Sequence, residues 1–166
     1  MTSGGELSGR DPRSYLFSPG TYRNFILQAD AKLNAIAPKK KTGSLYNFRR
    51  IAKSTIADGE WSRHTIAVIG NRILIQTNSE LHVDYTDKES TYTEGHIALQ
   101  QHDQASQVNF KTLRIKTLPD DIVTALEGLE KVFPSLAEKK KTTKKVGLLV
   151  VHRLLGPIAI AGRTGG

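Results

Sequence analysis

EWSRHTIAVIGNRILIQTNSELHVDYTDKESTYTEGHIALQQHDQASQVNFKTLRIKTL, residues 60–118, is the stretch where periodicity, turn chemistry and composition agree over dozens of positions. Residues 65–69 and 72–77 are two apolar, β-branched runs joined by Gly70-Asn71. A glycine-first two-residue loop between such runs predicts a tight hairpin. Asn78-Ser79 turns the chain into residues 81–85, Gly95 opens a strand over 96–100, and 108–118 gives a last, long one. In that last strand Val108 and Phe110 share one parity while Leu113 and Ile115 share the other, which predicts a β-bulge between them. Five antiparallel strands follow, with Ile66, Val68, Ile73, Ile75, Val83, Ile97, Leu99, Phe110 and Ile115 expected to point inward.

Outside this block the grammar is looser. Residues 1–14 read as a flexible leader, rich in Gly, Ser and charge. Ordered chain is expected from Tyr15 through 118, with a strand at 25–33 where Phe25, Leu27, Ala29, Ala31 and Leu33 alternate with polar residues. Asp58-Gly59 is a turn dipeptide leading to Trp61, the single tryptophan, which suits a packed aromatic at the sandwich rim as well as a sugar-stacking ring. From 119 to 166 the pattern changes. Pro119-Asp120-Asp121 starts a helix whose apolar positions, Ile122, Val123, Leu126, Leu129, Val132 and Phe133, recur at helical spacing up to Pro134. A lysine cluster and an apolar stretch, 146–162, close the chain. An Arg within that stretch would cost roughly 2.5–3.5 kcal/mol at a bilayer centre, so no membrane span is expected.

The 166 residues suit one domain with a core, and 38% hydrophobic content fits a globular protein. With no cysteine, disulfides, thiolate nucleophiles and cysteine-type zinc sites are excluded together. The formal charge of +8 is concentrated in lysine clusters at 39–41 and 139–145, outside the strands. No basic residues interleave with aromatics on the strands as RNA-binding sheets require, so nucleic acid is not the expected partner. The amino terminus lacks the apolar run of a secretory signal, which makes the chain as written cytoplasmic. His64, His82 and His96 lie on separate strands with no local ligand spacing, and no Gly-rich loop follows a strand. Neither a metal nor another cofactor is expected.

Several separated motifs carry a more specific reading: YLFSPGTYRNFILQADAKL, TGSLYNF, DGEWSRHTIAVIGNRILIQTNSELHVDYTD, GHIALQQHD and VNFKTLRIKTL. In that order, across residues 15–118, the chain resembles the 3-keto-disaccharide hydrolase domain, a concanavalin-like jelly roll. The resemblance implies an all-β antiparallel sandwich and a hydrolase acting on 3-keto-glycosides. It is broken between Leu33 and Thr42, where such domains carry two further strands and a glutamate in a Tyr-Glu-x-Gln-Ile setting. A second departure is Ser79, where the family has glycine after Asn78. The sandwich is therefore expected to be short of strands, with an open edge prone to self-association. The helix over 121–133 and the apolar stretch at 146–160 are candidates to cover the exposed face.

A 3-keto sugar has an acidified proton at C2. A base can remove it, hydrogen-bond donors can hold the enolate, and an acid can protonate the leaving glycosidic oxygen, with water added afterwards. The LQQHD motif places His102 at a strand end with Asp103 beside it and Gln100 two residues back on the same face, and an imidazole titrating near 6.5 suits acid or base work. A rim histidine bonded to a loop would look the same in sequence. Gln100, Asp103, Tyr46, Arg49 and Trp61 are the expected carbohydrate contacts, although ordinary packing or surface exposure accounts equally for such residues. The rival reading is a catalytically silent carbohydrate-binding or structural sandwich.

Overall fold

A computed structural model of the chain describes residues 5–9, 13–35, 44–45, 48–49, 51, 56–91, 93–101, 104 and 106–136. The strands are β1 (Leu7–Gly9), β2 (Ser14–Tyr22), β3 (Phe25–Ala35), β4 (Trp61–Ile69), β5 (Arg72–Thr77), β6 (Glu80–Thr86), β7 (Gly95–Gln101) and β8 (Ser106–Thr117), followed by α1 (Ile122–Leu126) and α2 (Leu129–Val132). Six strands form one antiparallel sheet in the order β1-β8-β3-β4-β5-β6, while β2 and β7 pair by themselves. This is the antiparallel sandwich that the alternating pattern demands. β1 arises inside the stretch read as a leader, where it pairs with β8 from Leu7 opposite Phe110 to Gly9 opposite Val108.

The turns follow local chemistry. Gly70 takes φ +55° between Ile69 and Arg72, closing the β4–β5 hairpin. Asn78 and Ser79 take φ +47° and +72°, the two left-handed residues of a type I′ loop, so the turn forms in that geometry without the glycine. Asn78 fixes it: its Oδ1 accepts from the Arg63 N–H at 2.8 Å, and its own N–H donates to the Arg63 carbonyl at 2.9 Å. The phase slip of the last strand is also present. Pairing between β3 and β8 shifts between Gln28 and Asp30, opposite a segment in which Thr112 adopts φ +53°.

Strand alternation gives the large sheet two faces. One carries Leu27, Ile66, Ile75 and Val83 in a single cross-strand row, with Phe25, Val68, Ile73 and Tyr85 in the next. This face looks toward β2 and β7 and contains the residues expected to be inward except Ile97 and Leu99, which lie on β7. Ile75 and Val83 are buried, but Ile66, Val68, Ile73, Ile97, Leu99 and Phe110 are only half-buried, and Ile115 is 39% exposed, which corrects the expectation for that residue. The cause is the narrow second sheet: among the described residues two strands face six.

The opposite face carries none of the residues expected to be inward, yet it is the drier one. Ile26, Ala67, Ile69 and Leu74 join Ala125, Leu129, Phe133 and Leu136 in the most deeply buried cluster. The carboxy-terminal helical segment therefore covers the outer face of the large sheet and leaves the gap opposite β2 and β7 untouched. It is also two helices rather than the single one expected. Asp121 caps α1 by accepting from the Thr124 N–H at 2.8 Å, Glu127 leaves the helix with ψ 130°, and Gly128 at φ +74° restarts the chain as α2. The 146–160 stretch, the other candidate cover, lies outside the described residues.

Candidate functional site

Along the face that looks toward β2 and β7, the side chains change character from one end to the other. β4 runs from Val68 and Ile66 back to His64 and Ser62, β5 from Ile73 and Ile75 to Thr77, and β6 back from Val83 to His82. β3 shrinks in the same direction, Phe25 and Leu27 giving way to Ala29 opposite His64 and Ala31 opposite Ser62. Small residues here stand beside hydroxyls and imidazoles.

The geometry there is close. Ser62 Oγ lies 2.9 Å from Nε2 of His64 and 3.3 Å from the carbonyl of Ala31, while Thr77 Oγ1 lies 3.5 Å from Nδ1. Ser62 and Thr77 are buried. Burial pushes the His64 imidazole below its ordinary range; repulsion from His82 adds to this, and Asp30 partly opposes it. A neutral imidazole held between two hydroxyls is a base with a defined orientation. His82, with little exposed side chain, lies 3.9 Å from the carboxylate of Glu80. Its presence on this face follows from a register shift between Ile75 and Gln76, which places Val83 and Leu81 opposite consecutive β5 residues and leaves His82 between them.

β7 ends at Gln101. Gln101 pairs with Ser14, and its Nε2 donates to the Ser106 carbonyl at 2.6 Å. Ser106 opens β8 opposite Ala35, at the end of the sheet where Ser62 and His64 lie. His102 and Asp103 are the next residues in the chain, but they, like Tyr46, lie outside the described residues. Gln100 is exposed and donates its amide N–H to Tyr15 Oη at 3.0 Å. Arg49 is exposed and its guanidinium carbon stands 5.6 Å from the centre of the Tyr85 ring, with Phe48 also against that ring. Trp61 has the opposite parity to Ser62 and His64 and pairs with Lys32; Nζ of Lys111 and Lys32 sit 3.9 and 5.1 Å from its ring centre. A tryptophan flanked by two ammonium groups on the outer face is a cation–π assembly, separate from the His64 cluster.

Sequence reasoning passed over Ser62, His64, Thr77 and His82. For His64 a signal existed, because it shares the parity of Ile66 and Val68, which were expected inward. For His82 none did, since only the register shift turns it to that face. Among the described residues no group of three or more His, Cys, Asp or Glu is placed to hold a metal ion.

A family model described as the 3-keto-alpha-glucoside-1,2-lyase-like domain matches residues 27–116. Among solved structures, a candidate glycosyl hydrolase from Parabacteroides distasonis ATCC 8503 superimposes with a TM-score of 0.61 at 16% identity, over 70% of this chain and 88% of that one. A second candidate glycosyl hydrolase from the same organism gives 0.53 at 15% identity, over 72% and 83%. The carbohydrate-binding module CBM66 from Bacillus subtilis gives 0.50 at 16% identity, over 66% and 86%. At these identities the structural likeness is one of fold. No curated protein matches the chain.

Proposed function

The chain belongs to the 3-keto-alpha-glucoside-1,2-lyase-like domain family, and on that premise we propose that it binds a 3-keto-glycoside against the polar end of the large sheet and cleaves its glycosidic bond by elimination. The observation that carries this reading is the His64 imidazole, held neutral by burial and oriented by Ser62 at 2.9 Å. The C3 ketone acidifies C2–H. His64 takes that proton, the electron pair forms the C1–C2 double bond, and the C1–O bond breaks. His102 returns a proton to the departing oxygen, and Asp103 contacts the sugar hydroxyls. Water adding across the double bond afterwards gives net hydrolysis.

Among the described residues the second sheet has two strands, which favours a second reading, a carbohydrate-binding module without turnover. Incubation of the purified chain with a 3-keto-disaccharide separates the two. Release of the free sugar, lost in His64→Gln and in His102→Ala, supports the lyase. Saturable binding with no product supports the module, and neither binding nor product removes both.

A further inference from the structure

At the opposite end of the same interior, about 13 Å from His64 by the four-residue rise of β4 to Val68, a cleft of about 260 Å³ opens between the sheets. Its floor is apolar, made by Phe25, Val68, Ile73 and Ile97. Polar groups line it as well, several of them held by partners. Glu94 accepts from Thr21 Oγ1 at 2.5 Å and lies 3.7 Å from the Arg23 guanidinium. His96 Nδ1 donates to the Ser18 carbonyl at 2.9 Å. The loop above is fixed by the buried Asp87, whose carboxylate accepts from the N–H groups of Thr91 at 2.7 Å and Glu89 at 3.2 Å. Below, Asn24 Oδ1 holds the Gly70 N–H at 2.8 Å. The rim is thus organised before any ligand arrives.

We propose that this cleft is a second carbohydrate subsite, taking one neutral hexopyranose ring and doing no chemistry on it. The volume falls just below the roughly 300 Å³ at which drug-sized pockets begin, which suits a single ring. A pyranose presents a C–H face to an apolar floor and hydroxyls around its edge. The Glu94 carboxylate and the Arg23 guanidinium, both about half exposed, have capacity for the acceptor and donor sides of vicinal hydroxyls. Gly95 supplies the remaining observation. It shares the parity of Ile97 in β7 and lines the cleft, and a Cβ built on it meets nothing within 4 Å. Packing does not require a glycine here; the space it leaves is the cleft.

The test uses D-glucose, which has no 3-keto group, titrated calorimetrically into the full chain, so its outcome is independent of turnover. Saturable binding is expected, abolished by Gly95→Leu, which fills the cleft, and weakened about tenfold or more by Glu94→Gln, as expected for loss of a hydrogen bond to a charged group. His64→Gln should bind as the parent does. Both cleft variants should melt with the parent, and the exposed Glu94 keeps the test valid if Gly95→Leu does not fold. Absence of saturable binding overturns the inference. So does binding that His64→Gln removes and Glu94→Gln leaves intact.

Discussion

The hydroxyl oxygen of the buried Ser62 and Nε2 of the half-buried His64, two residues apart on β4 and on one face of the sheet, stand 2.9 Å from each other. Because burial lowers the His64 pKa, the unfolded chain takes up this proton more readily than the folded one. Above about pH 6.5, the unfolded value, both states are neutral and the difference is silent. As pH falls through that value the unfolded state binds the proton first, so stability declines until the folded pKa is reached and then levels off. Melting temperatures compared at pH 7.5 and pH 5 should fall further in the parent than in His64→Gln. An equal fall in both would show that another group carries the dependence.

Phe133 is fully buried, and Gln76 in β5 donates its amide N–H to the neighbouring Val132 carbonyl at 2.9 Å. Together they fasten the helical segment to the outer face of the sheet. Phe133→Ala should cost about 3–5 kcal/mol, read as a reduced urea midpoint. Truncation after Leu118 should uncover Ile26, Ala67 and Leu74 and cause association, seen by light scattering. A truncated chain that stays monomeric and equally stable would contradict the packing.

Asn24 is a buried staple for three elements. Its Oδ1 accepts from the Gly70 N–H, its Nδ2 donates to the Pro119 carbonyl at 3.1 Å, and its carbonyl accepts from the Leu118 N–H at 2.9 Å. Asn24→Ala removes the side-chain bonds and leaves a buried N–H without a partner, at a cost of about 1–3 kcal/mol. Chemical denaturation measures it, and a change within a few tenths would show that water replaces the amide.

Ser79 holds φ +72° in the β5–β6 loop. A non-glycine residue in that region costs roughly 1–2 kcal/mol, partly offset by the entropy a glycine adds to the unfolded chain. Ser79→Gly should therefore raise stability by about 0.5–1 kcal/mol, checked by thermal melting. No gain would mean that the Ser79 conformation is not strained.

Much of the sandwich was legible because it rests on local physics. A glycine at Gly70, the parity of Ile66, Val68, Ile73 and Ile75, and the phase slip before Leu113 act within a few residues, and each reappears in the structure. Asp121 announced the helix start in the same way. The candidate site was less legible. His64 could have been drawn from its parity with Ile66, whereas His82 reaches the same face only through a register shift that depends on how β5 and β6 pair.

The sequence by itself determined the strands β3 to β8, their turns and the class of fold, since backbone preference and period-two burial are properties of neighbouring residues. The tertiary structure alone decided which face of the large sheet is driest. Ile26, Ala67 and Leu74 alternate with the residues expected inward, and nothing local distinguishes a solvated face from one that a distant segment will cover. That choice falls to Ala125, Leu129 and Phe133, which bury their apolar surface on the outer face and leave the inner one beneath two strands among the described residues, with the cleft beside Phe25 and Ile97 open between the sheets.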